Sequence, residues 1–379
     1  MSKLDMLIEK LCPDGVEYVK IGKTLVRTRG TAITAKKMKD LHKKDGLVRI
    51  FAGGKTFADV DFDDIPHKNI NKEPSIIVKS RGVIEFVYYN KPFSHKNEFW
   101  SYYSDNKEID IKFIYYYLSN NVAYFQTIAK NMQMPQISIP VTNEYKIPLP
   151  PLPVQEEIVR ILDNFTELTA ELTAELTARK KQYEYYRDKL LTFGDEVEYV
   201  RLGCVLDYEQ PTKYIVKSTK YDESYELPVL TAGDSFVLGY TNEKEGIFMA
   251  NKNKPVIIFD DFTASFHWVD FDFKVKSSAM KILKHSNKKS LFRYIFHCMS
   301  NISYFPSGHR RRWIREYSEL KIPLPPLSEQ ARIVSILDKF DTLVNDISAG
   351  IPAEIEARKK QYEYYRDKLL TFKVKADKK

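Results

Sequence analysis

Apolar side chains recur in alternating steps of four and three residues along two stretches of the chain. The first stretch carries Ile158, Leu162, Phe165, Thr169, Leu172, Leu176, Arg179, Tyr183, Tyr186 and Leu190. The second carries Ile333, Leu337, Phe340, Val344, Ile347, Ile351, Ile355, Arg358, Tyr362, Tyr365 and Leu369. This heptad pattern predicts two long helices, over 153–193 and 328–373, that pair as an antiparallel coiled coil. The second series has one extra step of four beside Pro352, where we expect a kink or a local break.

The residues before each helical stretch have a different pattern. Short β-branched and aromatic runs alternate there with Gly and Asp turns, as in Ser75–Lys79 and Pro255–Phe259. A short helical stretch follows in both regions. The pattern predicts two globular domains of α/β or α+β class, over 1–152 and 194–327, with 374–379 left as a basic tail.

The chain is a tandem duplication. KIPLPPL occurs at 146–152 and again 175 residues later, and the sixteen residues ARKKQYEYYRDKLLTF occur at 178–193 and 357–372. The globular regions share only short echoes, such as VEYV at 16–19 and 197–200. The plan predicts pseudo-two-fold symmetry, in which the differing parts do two jobs and the identical parts meet two identical partners.

Composition limits the class of protein. Of 379 residues, 59 are Lys or Arg and 51 are Asp or Glu, so the net charge is +8, which suits a polyanionic partner. The three cysteines are far apart, which argues against a disulfide framework and against paired zinc cysteines. The chain has no apolar run of transmembrane length, and its first residues are too charged for a signal peptide. We therefore expect a cytoplasmic protein.

Basic and amide side chains near predicted loops are candidates for contacts with DNA. Arginine suits guanine edges and phosphates, and Gln or Asn suits adenine. In the first domain the candidates are Arg27, Arg29, Lys36, Lys37, Lys55, Lys79, Arg81, His95, Lys96, Asn131, Gln133 and Gln136. In the second they are Lys213, Lys217, His309, Arg310, Arg311, Arg312 and Arg315. Trp313, inside the arginine cluster, suits either a contact residue or a core anchor.

The first helical stretch contains three near-copies of a four-residue unit, TELTAELTAELTA, at 166–178. Each unit adds about 6 Å of helix, and DNA rises about 3.4 Å per base pair. A spacer that changes length in such steps suits a ruler between two DNA-reading modules, although good helix formers alone would explain the composition. The spacer positions are Thr166, Leu168, Leu172 and Leu176.

The repeated aromatic and basic cluster KKQYEYYRDK is a candidate docking surface for another protein. Its candidate residues are Lys180, Tyr183, Tyr186 and Arg187 in the first copy and Lys359, Tyr362, Tyr365 and Arg366 in the second.

Sequence signatures of catalysis are missing. We find no phosphate loop, no dinucleotide fingerprint, no metalloprotease or serine-hydrolase motif, and no [ND]PP[YF] motif of adenine methyltransferases. Glu144–Lys146 and Glu319–Lys321 fit half of a metal-dependent nuclease signature, but no suitable Pro-Asp precedes either. We expect no catalytic residue and no metal ligand in this chain.

Two variable domains, each followed by IPLPPL and then by QEEIVRILD or QARIVSILD, resemble the DNA-specificity subunit of type I restriction–modification systems, in the branch with TAEL spacers. The resemblance implies that each variable domain is a target recognition domain reading one half of a bipartite, asymmetric DNA site. It implies that the helices set the gap and recruit two methyltransferase subunits, which motor-nuclease subunits join. S-adenosylmethionine, ATP and magnesium would then be bound by those partners and not by this chain.

The second helix departs from the first by four extra residues between Phe340 and Arg358 and lacks TAEL units, so this chain fits a spacing variant. Two alternatives stay open from the residues alone. One is a coiled-coil adaptor whose variable domains bind proteins, and the other is a fused nuclease that uses the Glu-x-Lys triplets.

Overall fold

The computed structural model describes residues 2–130, 134–231, 236–306, 308, 310–345 and 349–375. The chain divides into two compact units. Unit 1 comprises residues 1–172 and 355–379, and unit 2 comprises residues 173–354. Each unit therefore includes part of both helical stretches, so the division runs through the helices and does not follow the boundaries drawn from the sequence.

Unit 1 is a mixed structure of sheets and helices. Its strands are β1 (Tyr18–Lys20), β2 (Val26–Thr28), β3 (Val48–Phe51), β4 (Phe57–Val60), β5 (Ser75–Lys79), β6 (Glu85–Tyr89), β7 (Phe93–His95), β8 (Trp100–Tyr103) and β9 (Lys146–Pro148). The helices up to the hinge are α1 (Lys3–Leu11), α2 (Ile21–Thr24), α3 (Ala35–Leu41), α4 (Ile111–Asn120), α5 (Val122–Ala129), α6 (Ile139–Asn143) and the long α7 (Leu152–Leu191). The strands form sheets of order β2-β8-β5-β6, β4-β3-β7 and β1-β9.

Unit 2 repeats this arrangement. Its strands are β10 (Tyr199–Arg201), β11 (Leu206–Glu209), β12 (Leu227–Leu230), β13 (Val237–Thr241), β14 (Val256–Asp260), β15 (Phe266–Val269), β16 (Lys274–Val275), β17 (Met280–His285) and β18 (Lys321–Pro323). The later helices of the chain are α8 (Phe292–Asn301), α9 (Leu327–Asn345) and α10 (Ile351–Leu369). The sheet orders, β11-β17-β14-β15, β13-β12-β16 and β10-β18, match those of unit 1 strand for strand. The four-stranded sheets are antiparallel throughout, which favours α+β over α/β.

The apolar run that predicted β5 is buried on both faces of its sheet. Ile76 and Val78 pack in the main core of unit 1 with Ile114 of α4, whereas Ile77 packs with Phe93 of the smaller sheet. Side chains alternate between the faces of a strand, so a strand covered on both sides needs apolar residues at successive positions. The continuous run therefore marks the centre of the unit.

The long helices pair through aromatic residues within each unit. In unit 1, Phe165 of α7 stacks on Tyr365 of α10, with ring centroids 5.6 Å apart. In unit 2, Phe340 of α9 stacks on Tyr183 and Tyr186 of α7, at 6.2 and 5.6 Å. The first part of α7 thus packs on α10, and the last part of α7 packs on α9. Because α9 precedes α10 in the chain, this is the pairing order of antiparallel helices. The expected break near Pro352 is confirmed, because α9 ends at Asn345 and α10 begins at Ile351.

Residues from both ends of the described chain meet in unit 1. The backbone N–H of Val16 donates to the carbonyl of Lys373 at 2.8 Å, and the N–H of Lys375 donates back to Val16 at 3.0 Å. Leu4 of α1 and Leu370, just after α10, are buried in the same core. No helix in the described ranges combines the length and the apolar character that a membrane crossing requires.

Candidate nucleic-acid interface

A buried glutamine fixes the variable part of unit 1 to its long helix. The Oε1 of Gln155, in the first turn of α7, accepts a hydrogen bond at 2.9 Å from the N–H of Asp110, which caps α4. Its Nε2 donates to the carbonyls of Glu108 at 3.0 Å and Pro150 at 2.7 Å. The side chain therefore satisfies backbone groups of the α4 start and of the proline hinge, neither of which a helix or strand pairs.

Unit 2 contains the same attachment. Gln330 of α9 is fully buried, and its Oε1 accepts from the N–H of Leu291, which precedes α8, at 2.8 Å. Its Nε2 donates to the carbonyls of Lys289 at 3.0 Å and Pro325 at 2.7 Å. In both PPLxxQ segments the glutamine therefore binds a carbonyl of the proline hinge that precedes it. The two variable parts are attached to their long helices in the same way.

An aspartate about two turns further along each helix adds a second shared contact. Asp163 accepts hydrogen bonds from Lys112 Nζ at 2.7 Å and from the hydroxyl of Tyr116. Asp338 accepts from Arg293 Nε, also at 2.7 Å. Both carboxylates thus hold a basic residue of the short helix that packs on the long one, although the basic residue differs.

The glutamates of the Glu-x-Lys triplets are paired with the neighbouring strand. Glu144 forms an ion pair with Lys20, whose hydrogen bond lowers the pKa of this carboxyl, and Glu319 pairs with Arg201 at 3.0 Å. Within the described ranges, no three His, Cys, Asp or Glu residues are grouped as metal ligands would be. The nuclease interpretation therefore gains no support, and the triplets act as links between strands.

A short loop next to the main sheet is anchored at the same point in each unit. In unit 1 the N–H of Ile137 donates to the carbonyl of Ser80, just after β5, at 2.9 Å. In unit 2 the N–H of Arg312 donates to the carbonyl of Asp261, just after β14, at 2.8 Å, and Asp261 Oδ1 also accepts from Trp313 N–H. We call residues 134–138 and 310–313 the anchored loops of units 1 and 2.

A polar cleft of about 900 Å³ lies beside the anchored loop of unit 1. Its lining residues are Arg27, Thr28, Arg29, Gly30, Lys68, Asn69, Asn71, Asn97, Glu98, Phe99, Trp100 and Ile139. Three cations and three amide side chains share the surface, so the cleft offers many hydrogen-bond donors. The Nδ2 of Asn71 is buried and has no hydrogen-bond partner among the described residues. The sequence predicted Arg27 and Arg29 and missed Lys68 and the asparagines, because the polar run HKNINK indicates an exposed loop but not its place beside Arg27.

A cleft of about 440 Å³ in unit 2 lies at a partly overlapping place and has different chemistry. It is lined by Arg201, Gly203, Cys204, Leu206, Asp207, Tyr208, Trp313, Ile314, Ser318 and Glu319. The two clefts share two equivalent positions: Tyr208 holds the place of Arg27 in the strand register, and Ile314 holds the place of Ile139 after the anchored loop. The rest of the unit 2 lining comes from the segment from β10 to β11 and from the residues before β18. The two units therefore present one scaffold with two unlike clefts.

Most of the remaining DNA-contact candidates of unit 1 are on the surface. Lys36, Lys37, Lys55, Arg81 and Gln136 are exposed. Lys96 is half-buried and forms an ion pair with Glu98 at 2.7 Å. Two further candidates, Asn131 and Gln133, lie outside the described residues.

Two candidates of unit 1 are buried, and for them the prediction of a surface contact is wrong. The Nζ of Lys79 donates to the carbonyl of Gly54 and to Glu85, both at 2.6 Å, and so holds the β3–β4 hairpin. His95 is fully buried, and its Nε2 lies 3.3 Å from the hydroxyl of Ser101. Burial lowers the pKa of His95 to about 4, so the ring is neutral at physiological pH.

In unit 2 the exposed candidates are Lys213, Lys217, Arg310, Arg311 and Arg315, and His309 lies outside the described residues. The expectation of a surface contact is wrong for Arg312, because its side chain is 0% exposed. Its Nη2 donates to the carbonyl of Gly308 at 2.5 Å, and its Nη1 pairs with Glu316 at 3.2 Å. Trp313 is also buried, which confirms the core-anchor interpretation.

The aromatic clusters on the long helices divide by face. Tyr183 is buried against Phe340, and its counterpart Tyr362 is partly buried in the core of unit 1. The burial of Tyr183 contradicts a surface docking role for this residue, whereas Tyr362 keeps some exposure and its docking role stays a prediction. The tyrosines that face outward are Tyr185 and Tyr364, which the prediction omitted and which are 60% and 64% exposed.

The other helix candidates have intermediate environments. Tyr186 and Tyr365 stack on the opposing phenylalanines with one edge exposed, and Arg187 and Arg366 are half-buried. Lys180 and Lys359 are exposed. In the TELTA segment Thr166 and Leu168 are exposed, whereas Leu172 and Leu176 are half-buried. The long helices thus have one face that packs on the other helix and one face that is exposed.

Comparison with known proteins agrees with the duplicated scaffold. The whole fold is similar to a crystal structure of a type I restriction–modification S subunit from M. genitalium, with a TM-score of 0.65 at 16% identity over 94% of this chain and 96% of that one. The likeness of fold covers both α+β domains and the long helix that follows each of them. The family model described as the type I restriction modification DNA specificity domain matches residues 13–179 and 194–357, and the chain belongs to this family.

Relatives in the family are similar over different extents. The chain is 52% identical over 198 residues to the specificity subunit of the type I restriction enzyme EcoR124I/EcoR124II from Escherichia coli. That match spans 50% of this chain and about half (48%) of the relative's length. A putative specificity subunit from Haemophilus influenzae is 33% identical over 298 residues, 70% of this chain and 73% of the relative.

Proposed function

We propose that this chain is the DNA-specificity subunit of a type I restriction–modification complex and has no catalytic activity of its own. Each unit reads one half of a bipartite, asymmetric site in double-stranded DNA. The observation that carries the proposal is the combination of one repeated scaffold, attached by Gln155 and Gln330 in the same way, with two clefts of different chemistry. A protein that reads two unlike half-sites needs this combination.

The cleft of unit 1 supports base reading. Arg27 and Arg29 offer guanidinium groups that fit guanine edges or phosphates, and the amides of Asn69, Asn71 and Asn97 fit adenine. The cations supply the sequence-independent attraction to DNA, and the amides supply discrimination between bases. Family membership of both halves of the chain supports the same role for the smaller cleft of unit 2.

The identical parts of the helices suit two copies of one partner, the methyltransferase subunit. Tyr185 and Tyr364 occupy equivalent places in the repeated sixteen residues, and both are exposed. Exposed tyrosines are frequent anchors of protein interfaces because they bury a large ring at a small entropic cost. Motor-nuclease subunits complete the complex in the cytoplasm, and S-adenosylmethionine, ATP and magnesium bind to the partner subunits.

A methylome tests the function. The chain is expressed with its neighbouring methyltransferase subunit in a host without DNA methylation, and modified adenines are mapped across the genome. A bipartite motif that is lost when this chain is omitted supports the proposal. A methyltransferase that binds this chain and methylates without a motif contradicts it. Binding to motif DNA should weaken steeply with salt, whereas an adaptor that reads proteins would bind DNA weakly and with little salt dependence.

The spacer is tested in the same host. One added Thr-Ala-Glu-Leu unit after Leu176 lengthens α7 by about 6 Å, close to two base pairs of DNA. A longer gap between unchanged half-sites supports the ruler, and an unchanged gap contradicts it. Four added alanines serve as the control, because they add the same length with a different sequence and should shift the gap equally.

A further inference from the structure

The anchored loops provide a residue-by-residue correspondence between the two units. β5 and β14 hold the same place in their sheets, and Ile76 lies opposite Tyr102 as Ile257 lies opposite Leu283. The residue that follows each strand accepts the loop N–H through its carbonyl. Two residues beyond this N–H, Ile139 and Ile314 line the respective clefts. Ile137 and Arg312 are therefore equivalent positions.

The segment before the anchor differs strongly between the units. Sixteen residues separate the end of α4 from Ile137, and they include α5, whereas ten residues separate the end of α8 from Arg312. The chain reaches the same backbone hydrogen bond by both routes. The residue immediately before the anchor thus has a fixed place, three residues ahead of the isoleucine that lines the cleft, whatever the length of the segment before it.

The residue at this place is Gln136 in unit 1 and Arg311 in unit 2. Both are exposed, and within the described parts of the chain neither side chain has a hydrogen bond or an ion pair. In unit 1 the backbone is held on both sides of Gln136. The N–H of Ile137 donates to the carbonyl of Ser80, and the carbonyl of Pro135 accepts from the N–H of Gly82 at 2.8 Å. In unit 2 the buried side chain of Arg312 holds the loop. A free polar side chain on a fixed backbone is the arrangement that base reading requires.

We propose that Gln136 and Arg311 are equivalent specificity-determining residues, Gln136 contacting an adenine of one half-site and Arg311 a guanine of the other. The inference rests on the proposed function and names the base class that each residue reads. Glutamine pairs bidentately with the adenine N6 and N7, and arginine with the guanine O6 and N7. The differing side chains at one shared place give the two units different preferences.

The test uses the full chain with its methyltransferase partner and the methylome described above. Arg311→Gln should replace or relax one guanine of the second half-site and leave the first half-site unchanged. Gln136→Arg should alter one adenine of the first half-site alone. Arg332→Gln is the control, because Arg332 is an exposed arginine of unit 2 that lies on α9, outside the candidate DNA contacts, and forms an ion pair with Glu329 at 2.6 Å. Its motif should stay that of the unaltered chain.

Binding to synthetic duplexes separates base reading from phosphate contact. Arg311→Lys keeps the positive charge and loses the planar guanidinium group that binds guanine through two hydrogen bonds. The affinity for the cognate duplex should therefore fall about 5- to 150-fold. The affinity for a duplex altered at that guanine should stay the same. In Arg311→Gln, which removes the charge, an equal loss of affinity on both duplexes together with a lower salt slope identifies a phosphate contact and overturns the proposal. An unchanged motif for Arg311→Gln also overturns it. If the unaltered chain gives no motif at all, the proposed function fails.

Discussion

Replacing a buried attachment glutamine should loosen one unit and leave the other intact. The two variants are Gln155→Ala in unit 1 and Gln330→Ala in unit 2. Each removes a fully buried amide that bridges the start of a short helix and the proline hinge. Because the two glutamines make the same set of three hydrogen bonds, each variant is the other's control for position in the scaffold.

The expected loss follows from what each bond leaves behind. Without Gln155, the carbonyl of Pro150 and the N–H of Asp110 lose their partners, whereas the exposed Glu108 can bond to water. An unsatisfied buried group costs about 1–3 kcal/mol. Asp110 is only half-buried, so its N–H should cost about 1 kcal/mol, and with the Pro150 carbonyl we expect local destabilisation of about 2–4 kcal/mol. The same reasoning gives the same range for Gln330. Gln361→Ala, on an exposed face of α10, should change stability by less than about 0.5 kcal/mol.

Hydrogen exchange followed by mass spectrometry reads this effect region by region. In Gln155→Ala, the amides around Asp110 should exchange about 30- to 800-fold faster, the equivalent of about 2–4 kcal/mol. The amides around Leu291 should keep their rates, and Gln330→Ala should show the reverse. Equal acceleration in both regions by either variant, or no acceleration at the attached region, would refute the reasoning.

Three further predictions concern buried or half-buried side chains. His95→Gln should remove a pH dependence of the free energy of unfolding. Because folding lowers the pKa of His95 from 6.5 to about 4, the intact chain should lose about 2 kcal/mol of stability as the pH falls from 7.5 to 5. An equal loss in the variant would contradict this. Phe165→Ala and Phe340→Ala should each destabilise the helix pairing of their own unit by about 2–3 kcal/mol, measured by hydrogen exchange, and an effect in the other unit would argue against local pairing. Lys79→Met should cost about 1–2 kcal/mol and speed exchange in the hairpin that contains Gly54, and an unchanged hairpin would exclude the anchoring role.

The long helices and the duplication could be predicted from the sequence because they depend on local periodicity. The heptad series placed Phe165 and Phe340 on the packed face, and both stack on tyrosines of the other helical stretch. The extra step beside Pro352 marked the break between α9 and α10. Such features need no knowledge of which distant segments meet.

The burial of charged residues could not be predicted in this way. Lys79, His95 and Arg312 have the composition of surface contacts, yet each is buried by partners that the sequence pattern does not indicate. The partner of the Arg312 backbone, Asp261, lies 51 residues away. Burial of a polar group depends on its hydrogen-bond partners, and these are set by the tertiary fold.

The asparagines of the unit 1 cleft were missed for a related reason. The lining combines residues of the β2 region, the HKNINK loop and the segment before β8, which the chain order separates. A polar loop by itself predicts only exposure. Its grouping with Arg27 depends on tertiary pairing, because Asn71 pairs with Phe93 of β7, and Lys96, just after β7, pairs with Thr31, just beyond β2. No local signal specifies these pairings.

The meeting of Val16 with Lys373 and Lys375 has a consequence for folding during synthesis. Unit 2 is one continuous segment, so all of its residues emerge from the ribosome in sequence. Unit 1 starts first but needs Leu370 for its core, so it finishes last. At about 5–20 residues per second, its partial core waits roughly 10–40 s for the 200 or so intervening residues. During that interval the apolar face of the first part of α7 is uncovered, and a chaperone or the partner subunit has access to it.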